Sequence, residues 1–375
     1  MYESVGSLPE SSRIEYQPSQ VSTGSAWSSL RTNQERLPIR VESEEIYNAS
    51  NLPPLSVAQA MTELFREAYG DKYPDARFLD PLEIRKVIQD GKYVFAALLD
   101  EHGGVLGIGG ISKFDYLGAD VEKYGQVREF CKLIVAKRAR MFGLTERLTT
   151  MRLEIADSMG LESVVSLPFS SHDKSQRSLA KQGFKPSGIS VCDWEDVFGT
   201  GQRESTIFMH KILNSDIQAF RQVTVPKNLH SVMAIAYESL ECRREFSQGI
   251  GDVSFRSPVS SGIEPEIRTD VSSAGAQIFL HCPTKVDLVL ESICSADMSH
   301  LKNCAVSLDI GNSLSYAAIE KLLESGFCFS SVQPLKKTDL LTLQKISDLP
   351  INFVSGTELY HEATSRILNQ ILLSQ

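Results

Sequence analysis

The sequence predicts an α/β chain of two domains, and three observations carry that expectation. Two apolar runs, Tyr93–Leu99 and Val105–Ile111, flank Asp100-Glu-His-Gly-Gly104, the signal of a β-hairpin. A β-like run, Glu129–Val135, enters a glycine-containing loop and then a long helical stretch, Glu146–Met159. A helix followed by Gly183-Phe184 recurs, with its flanking apolar runs, as a helix followed by Gly326-Phe327. At 375 residues the chain also exceeds what one hydrophobic core usually serves, and 42% hydrophobic residues is ordinary for a globular protein.

Taken in order, residues 1–36 are rich in Ser, Gln, Glu and Arg and poor in apolar residues, so an unordered tail is expected there. The first domain is expected over 37–213. Pro38–Glu42 reads as its first strand, and Ser56 as the cap of a helix whose Val57, Met61, Leu64 and Phe65 recur at helical spacing. Pro81, after Asp80, starts a second helix through Ile88. The hairpin, the strand Glu129–Val135 and the helix Glu146–Met159 follow. A helix from Ser175 ends at Gly183-Phe184, and Arg203-Glu204-Ser205 opens the last strand. The second domain, 214–375, restarts with a strand at Arg221–Pro226 and a helix over Leu229–Phe246. A Gly/Ser/Pro-rich bridge, Gly249–Gly262, leads to strands at Ala276–Cys282 and Cys304–Ile310 and a helix at Ile319–Leu323.

A net charge of −9 and a pI near 5.4 argue against a nucleic-acid partner, which needs clustered Lys and Arg. No run approaches the roughly 20 apolar residues of a membrane helix, and the first residues lack a charged start with an apolar core, so a cytoplasmic protein is expected. Seven cysteines without a CxxC pair fit reduced thiols. Asp297, His300, His281 and Cys282 have no metal-ligand spacing, and Cys192-Asp193 has no histidine beside it to make a nucleophile, so no metal is expected.

A strand that ends in a glycine loop at a helix N-terminus presents unbonded N–H groups, a cradle suited to pyrophosphate. The alternative is a glycine needed only for a strand-to-helix turn. The loop reads Arg140-Met141-Phe142-Gly143-Leu144-Thr145, with Val135 five residues before Arg140 and Gly183-Phe184 downstream. This segment resembles motif A of the GNAT acyltransferases, Gln/Arg-x-x-Gly-x-Gly/Ala, with Thr145 at the third anchor, and Ser175–Phe184 resembles the family's closing helix. The resemblance runs from near residue 40 to near 213. It implies a mixed, mostly antiparallel central sheet flanked by helices, with acetyl-CoA or another acyl-CoA held by Leu133, Val135, Arg140, Met141, Phe142, Gly143, Leu144 and Thr145. The implied reaction is acyl transfer to a small-molecule or peptide amine by direct attack. The second domain lacks such a loop and reads as a degenerate GNAT-like α/β domain that does not bind CoA in the usual way.

Glu129 stands where the family places a strand carboxylate acting through water as base; the other reading is a solvent-facing edge charge. Strand alternation puts it on one face with Cys131 and Leu133. Leu179 occupies the position of the family's proton-donating tyrosine, which leaves His172, Ser175 or water for that task. Histidine as a residue type is chemically suited to that task, though a loop histidine such as His172 is more often only a surface side chain. Lys132, Lys137, Arg138 and Arg140 form a basic cluster that would suit an acyl carrier protein as donor. A non-catalytic binding module is the third reading.

Overall fold

The computed structural model describes residues 40–71, 73, 75–113, 125–194, 196, 203–247, 266–270, 275–280, 283–294, 303–312, 314–347 and 357–374. The expected tail, the Gly249–Gly262 bridge and the His281, Cys282, Asp297 and His300 group lie outside them. The first half runs β1 (Ser43–Tyr47), α1 (Leu55–Tyr69), α2 (Pro81–Gln89), β2 (Tyr93–Leu99), β3 (Val105–Lys113), β4 (Val127–Val135), α3 (Leu144–Ser158), β5 (Ser163–Ser166), α4 (Lys174–Lys181), β6 (Lys185–Trp194) and β7 (Glu204–Ile212). The second runs β8 (Arg221–Thr224), α5 (Lys227–Ser239), β9 (Arg244–Ser247), β10 (Glu266–Asp270), β11 (Gly275–Phe279), α6 (Val286–Cys294), β12 (Asn303–Asp309), α7 (Ser315–Glu324), β13 (Cys328–Pro334), β14 (Asp339–Ile346) and α8 (Glu362–Leu373).

Twelve of these strands form one sheet in the order β1-β2-β3-β4-β5-β7-β6-β13-β14-β12-β11-β10. Its ladders are antiparallel except β4·β5 and β11·β12, and β8 and β9 make a separate parallel pair. The core is continuous through both halves: Phe65, Ile84 and Leu148 belong to the same buried cluster as Val306, Ile319 and Ile367.

The local chemistry explains most of these elements and three departures from the expected boundaries. In α2, Asp80 caps the helix by accepting from Leu82 N–H at 2.8 Å, and Pro81 supplies the first turn. In β1, pairing against β2 sets the boundary: the ladder runs from Ser43↔Leu99 to Tyr47↔Phe95, one residue past the expected Pro38–Glu42 strand. Helix α1 is entered through the extended Pro54 (ψ 152) with no side-chain cap, so Ser56 is its second residue and not its cap. Helix α5 ends at Ser239 because Glu241 is left-handed (φ 58), and the expected helical residues Arg244–Phe246 instead enter β9. The fully buried Arg244 guanidinium anchors that strand, with Nη2 donating to an Asp339 carboxylate oxygen at 3.0 Å.

The run β10-β11-α6-β12-α7-β13-β14 follows β3-β4-α3-β5-α4-β6-β7 element for element. Neighbour order is the same, β10-β11-β12-β14-β13 against β3-β4-β5-β7-β6, each with its one parallel pair in the same place. The turns into β6 and β13 match as well. Gly183 (φ +82) and Gly326 (φ +85) are both left-handed, and Phe184 and Phe327 N–H reach back to Leu179 O at 3.1 Å and Leu322 O at 3.0 Å. The two runs join where β6 meets β13, with Gly188 opposite Ser331. Approach there is so close that a Cβ on Gly188 would lie 2.1 Å from Ser330 O. Buried Gln344 ties the join, accepting from Val191 N–H at 2.9 Å and donating to Ile189 O and Phe329 O at 3.0 Å each.

Candidate functional site

The site begins with an irregularity in β4. Gly110 faces Cys131 and Ile108 faces Ile134, so Gly109 alone opposes both Lys132 and Leu133. This is a β-bulge, with Lys132 at φ 52. The extra residue shifts the alternation: Cys131 and Ile134 share a face, and the expected grouping of Leu133 with Glu129 and Cys131 is corrected. Glu129 pairs with Ser112, whose hydroxyl accepts from Cys131 Sγ at 3.5 Å. On the other edge, β5 accompanies β4 only at Val127↔Ser163, Arg128↔Val164 and Glu129↔Val165. The last tie is Ser166 Oγ donating to Phe130 O at 2.8 Å. Among the described residues the remaining β4 edge, through Val135, has no strand on that side.

That edge leads into the loop. Arg140 Nε donates to Val135 O at 3.3 Å, Lys137 N–H donates to Glu67 Oε1 at 2.9 Å, and Arg138 pairs with Asp100 at 2.8 Å. These carboxylates fix the start of the loop. Met141 and Gly143 are left-handed (φ 77 and 72), a conformation Gly adopts without a Cβ penalty. Helix α3 then starts at Leu144 with no side-chain cap on Gly143. Its first hydrogen bond, Arg147 N–H to Gly143 O at 3.2 Å, leaves the N–H groups of Leu144, Thr145 and Glu146 ahead of the intrahelical ladder. A Cβ on Gly143 would meet nothing within 4 Å, so the space before the helix is open. Met141 is 94% exposed and Phe142 40%, while the Leu144 side chain is buried. The eight residues named for the cofactor therefore lie on one continuous path, from Leu133 and Val135 on β4 through the loop to Thr145 on α3.

His172 and Ser175 lie elsewhere. They sit on the connection from β5 and in the first turn of α4, which bonds to β7 and to a distant segment. Ile207 N–H donates to Pro168 O at 2.9 Å, Ser170 N–H to Ser205 O at 2.8 Å, and Gln176 Nε2 to Glu358 O at 2.7 Å. Beside this connection stands Glu204 on β7, whose carboxyl is raised by burial, with Asp196 adding to the rise and Ser171 and His172 opposing it only in part. The structure thus unites Glu129 with the loop along β4 and gives His172 and Ser175 a different set of partners. Leu179 is buried, 4% exposed, in the core.

Lys132 is the largest correction at the site. Expected in a surface basic cluster, it turns inward at the bulge, donates from Nζ to Tyr73 Oη at 2.7 Å and lies 5.2 Å and 4.9 Å from the ring centroids of Tyr73 and Phe78. Tyr69, Tyr93, Phe65 and Phe95 continue this aromatic group. Burial pushes the Tyr69 hydroxyl and the Cys131 thiol each up to about 12, so both are neutral near pH 7. Tyr69 closes α1 and Tyr73 lies beyond its end, and nothing in the sequence signals the bulge that delivers Lys132 to them. On the opposite face, Arg152 of α3 is buried against Phe130 at 4.5 Å and occupies the space a Gly109 side chain would need. Among the described residues there is no group of three or more metal-ligating side chains and no helix long and apolar enough to cross a membrane.

No family model and no curated protein matches the chain. Solved structures are similar over just under half of it. A GNAT-superfamily phosphinothricin acetyltransferase from Sinorhizobium meliloti, in complex with acetyl-CoA, is 20% identical, with 46% of this chain and 89% of that chain covered and a TM-score of 0.37. An N-acetyltransferase from Staphylococcus aureus is 16% identical over 46% and 99%, with a TM-score of 0.38. The spermidine/spermine N-acetyltransferase SpeG of Vibrio cholerae is 17% identical over 45% and 95%, with a TM-score of 0.35.

Proposed function

We propose that the chain is an N-acyltransferase of the GNAT type, taking an acetyl or short acyl group from acyl-CoA to an amine. The observation that carries this reading is the parting of β4 from β5 after Glu129, directly upstream of an uncapped helix N-terminus. Acetyl-CoA fits these residues: the N–H groups at the start of α3 have no side-chain cap, and the space beside Gly143 is open. When bound, it supplies an acyl group activated as a thioester. Arg140 and the N–H groups of Met141, Phe142, Gly143, Leu144 and Thr145 hold the pyrophosphate, where donor groups and helix dipole both favour an anion. Leu133 and the Val135 backbone line the pantetheine arm, for which Arg140 must release Val135 O. Glu129 takes the amine proton through water. His172 and Ser175 are the proposed proton donors on the β5–α4 connection.

In this reading residues 37–213 are the catalytic domain and 214–375 a second, degenerate domain of the same topology that shapes the acceptor cleft. An acyl carrier protein as donor is less supported, because Lys132 is withdrawn from the basic cluster and Arg138 is paired with Asp100. Isothermal titration of acetyl-CoA tests the donor site. Wild type is expected to bind in the micromolar range, and Arg140→Ala to lose about tenfold or more, the order of one charge-assisted contact. Absence of binding to wild type would overturn the reading.

A further inference from the structure

Lys132 raises a chemical question: its half-buried side chain turns inward among aromatic rings, yet among the described residues it has no salt-bridge partner. Its charge is met instead by one hydroxyl, Tyr73 Oη at 2.7 Å, and by the faces of Tyr73 and Phe78 at 5.2 Å and 4.9 Å. Tyr69 lies 4.9 Å from Tyr73 with the rings tilted by 31°, and Tyr93 meets Phe78 edge-on at 5.2 Å, so the rings brace one another as a wall. Aromatic faces of this kind recognise ammonium groups. The lysine reaches them only because β4 bulges, with Lys132 held in left-handed backbone that a residue with a side chain rarely adopts. A bulge commonly re-aims a side chain next to a functional site. This one lies three residues beyond Glu129, on the stretch of β4 that has left β5.

We propose that the faces of Tyr73 and Phe78, braced by Tyr69 and Tyr93, form an aromatic cage that is the ammonium subsite of the acceptor, and that Lys132 is its tethered occupant, displaced by substrate. The inference rests on the N-acyltransferase reading and narrows its acceptor class to unbranched aliphatic primary amines, such as an alkylamine or a lysyl side chain. A carboxylate-lined pocket would select cations by charge alone. This cage selects a cation on an alkyl stem, because the rings solvate both the ammonium and the methylenes leading to it.

Removing the tether tests the cage without involving the donor. In Lys132→Ala, n-butylammonium carries the four-carbon stem and ammonium of a whole lysine side chain, one carbon more than the variant removes, and n-butanol supplies the same stem without charge. Titration is expected to show n-butylammonium binding about tenfold or more tighter than n-butanol to the variant, in line with a desolvated cation–π contact, and far more weakly to wild type. Equal affinity for the two probes would overturn the cage. Lys132→Met, close in shape and uncharged, serves if the alanine variant does not fold; it is expected to lower the KM for n-butylamine in acetyl transfer, and an unchanged KM overturns the role as acceptor subsite. Acetyl-CoA titrated into wild type and both variants separates the two ideas: absence of donor binding to wild type defeats the acyltransferase reading, whereas intact donor binding with no cation preference in the variants defeats only this one.

Discussion

Gly143→Asp separates the ligand role of the α3 N-terminus from its structural one, because the two respond with different magnitudes. The open space around Gly143 admits a side chain, so no packing clash arises. What remains is the left-handed backbone, φ 72, which costs a residue with a Cβ about 1–2 kcal/mol and Asp or Asn toward the lower end. In a chain of this size that is a fall in Tm of a few degrees. A carboxylate about 4 Å from a pyrophosphate oxygen, at an effective dielectric near 20, opposes binding by about 4 kcal/mol, or roughly a thousandfold in Kd. Gly143→Asn carries the same backbone strain without the charge and is expected to lose no more than about tenfold, the equivalent of the strain. The assay is acetyl-CoA titration of the three proteins alongside thermal melts. A folded Asp variant with wild-type affinity would refute the placement of pyrophosphate at this helix, and equal losses in Asp and Asn variants would assign the effect to backbone geometry rather than charge.

Two further outcomes follow from the fold. Gly188→Ala places a Cβ 2.1 Å from Ser330 O and 2.4 Å from Ser331 Cα, both backbone atoms that cannot rotate away; overpacking of this kind costs about 1–3 kcal/mol or more, so a urea midpoint well below wild type is expected, and an unchanged midpoint would show that β6 and β13 do not approach this closely in solution. His210 of β7 is wholly enclosed, and burial pulls its imidazole down to about 3, so the native state leaves it neutral where the unfolded chain, near 6.5, takes up a proton. The unfolded state therefore binds more protons between those values, and stability falls as pH drops from about 6.5 toward 3 by up to about 1.4 kcal/mol per unit. Denaturant midpoints measured across that range should flatten in His210→Gln; an identical pH profile would show that His210 is hydrated or paired in solution.

The parts of the fold that were legible are those written in local chemistry. Asp80-Pro81 marks a helix start with a cap and a preset φ, the Asp100–Gly104 turn joins two apolar runs, and Gly183-Phe184 and Gly326-Phe327 mark the same helix-terminating turn. Boundaries set by partners distant in sequence were not. β1 takes its register from β2, and the residues beyond Glu241 that were expected to stay helical are drawn into β9, where Arg244 is committed to Asp339, 95 residues away. The candidate site divides the same way. The loop from Arg140 to Thr145 is contiguous and could be read, whereas the β4 bulge depends on how β3 opposes it and carries no signature in Cys131-Lys132-Leu133. For that reason alternation misplaced Leu133, and Lys132 was counted among surface charges. The positions of His172 and Ser175 depend on β7 and on residues 358–360, contacts no local pattern contains.

The two runs share a topology but differ along the strand edge to which the proposed function assigns the donor. Helix α6 stands where α3 does, and β11 and β12 stand where β4 and β5 do. The difference is in the ladder: β11 is paired with β12 at every one of its five residues, from Gly275↔Asn303 to Phe279↔Ser307, whereas β4 is paired with β5 at three of nine and then departs. A strand edge fully paired along its length has no N–H or C=O left to offer an extended ligand arm. On these grounds strand pairing, besides the missing loop, stands against a donor site in the second half. Restoring a glycine loop before α6 would therefore not create one. Its contribution to the first half is instead the strand β13, which covers the edge of β6 that a lone first domain would leave open to aggregation.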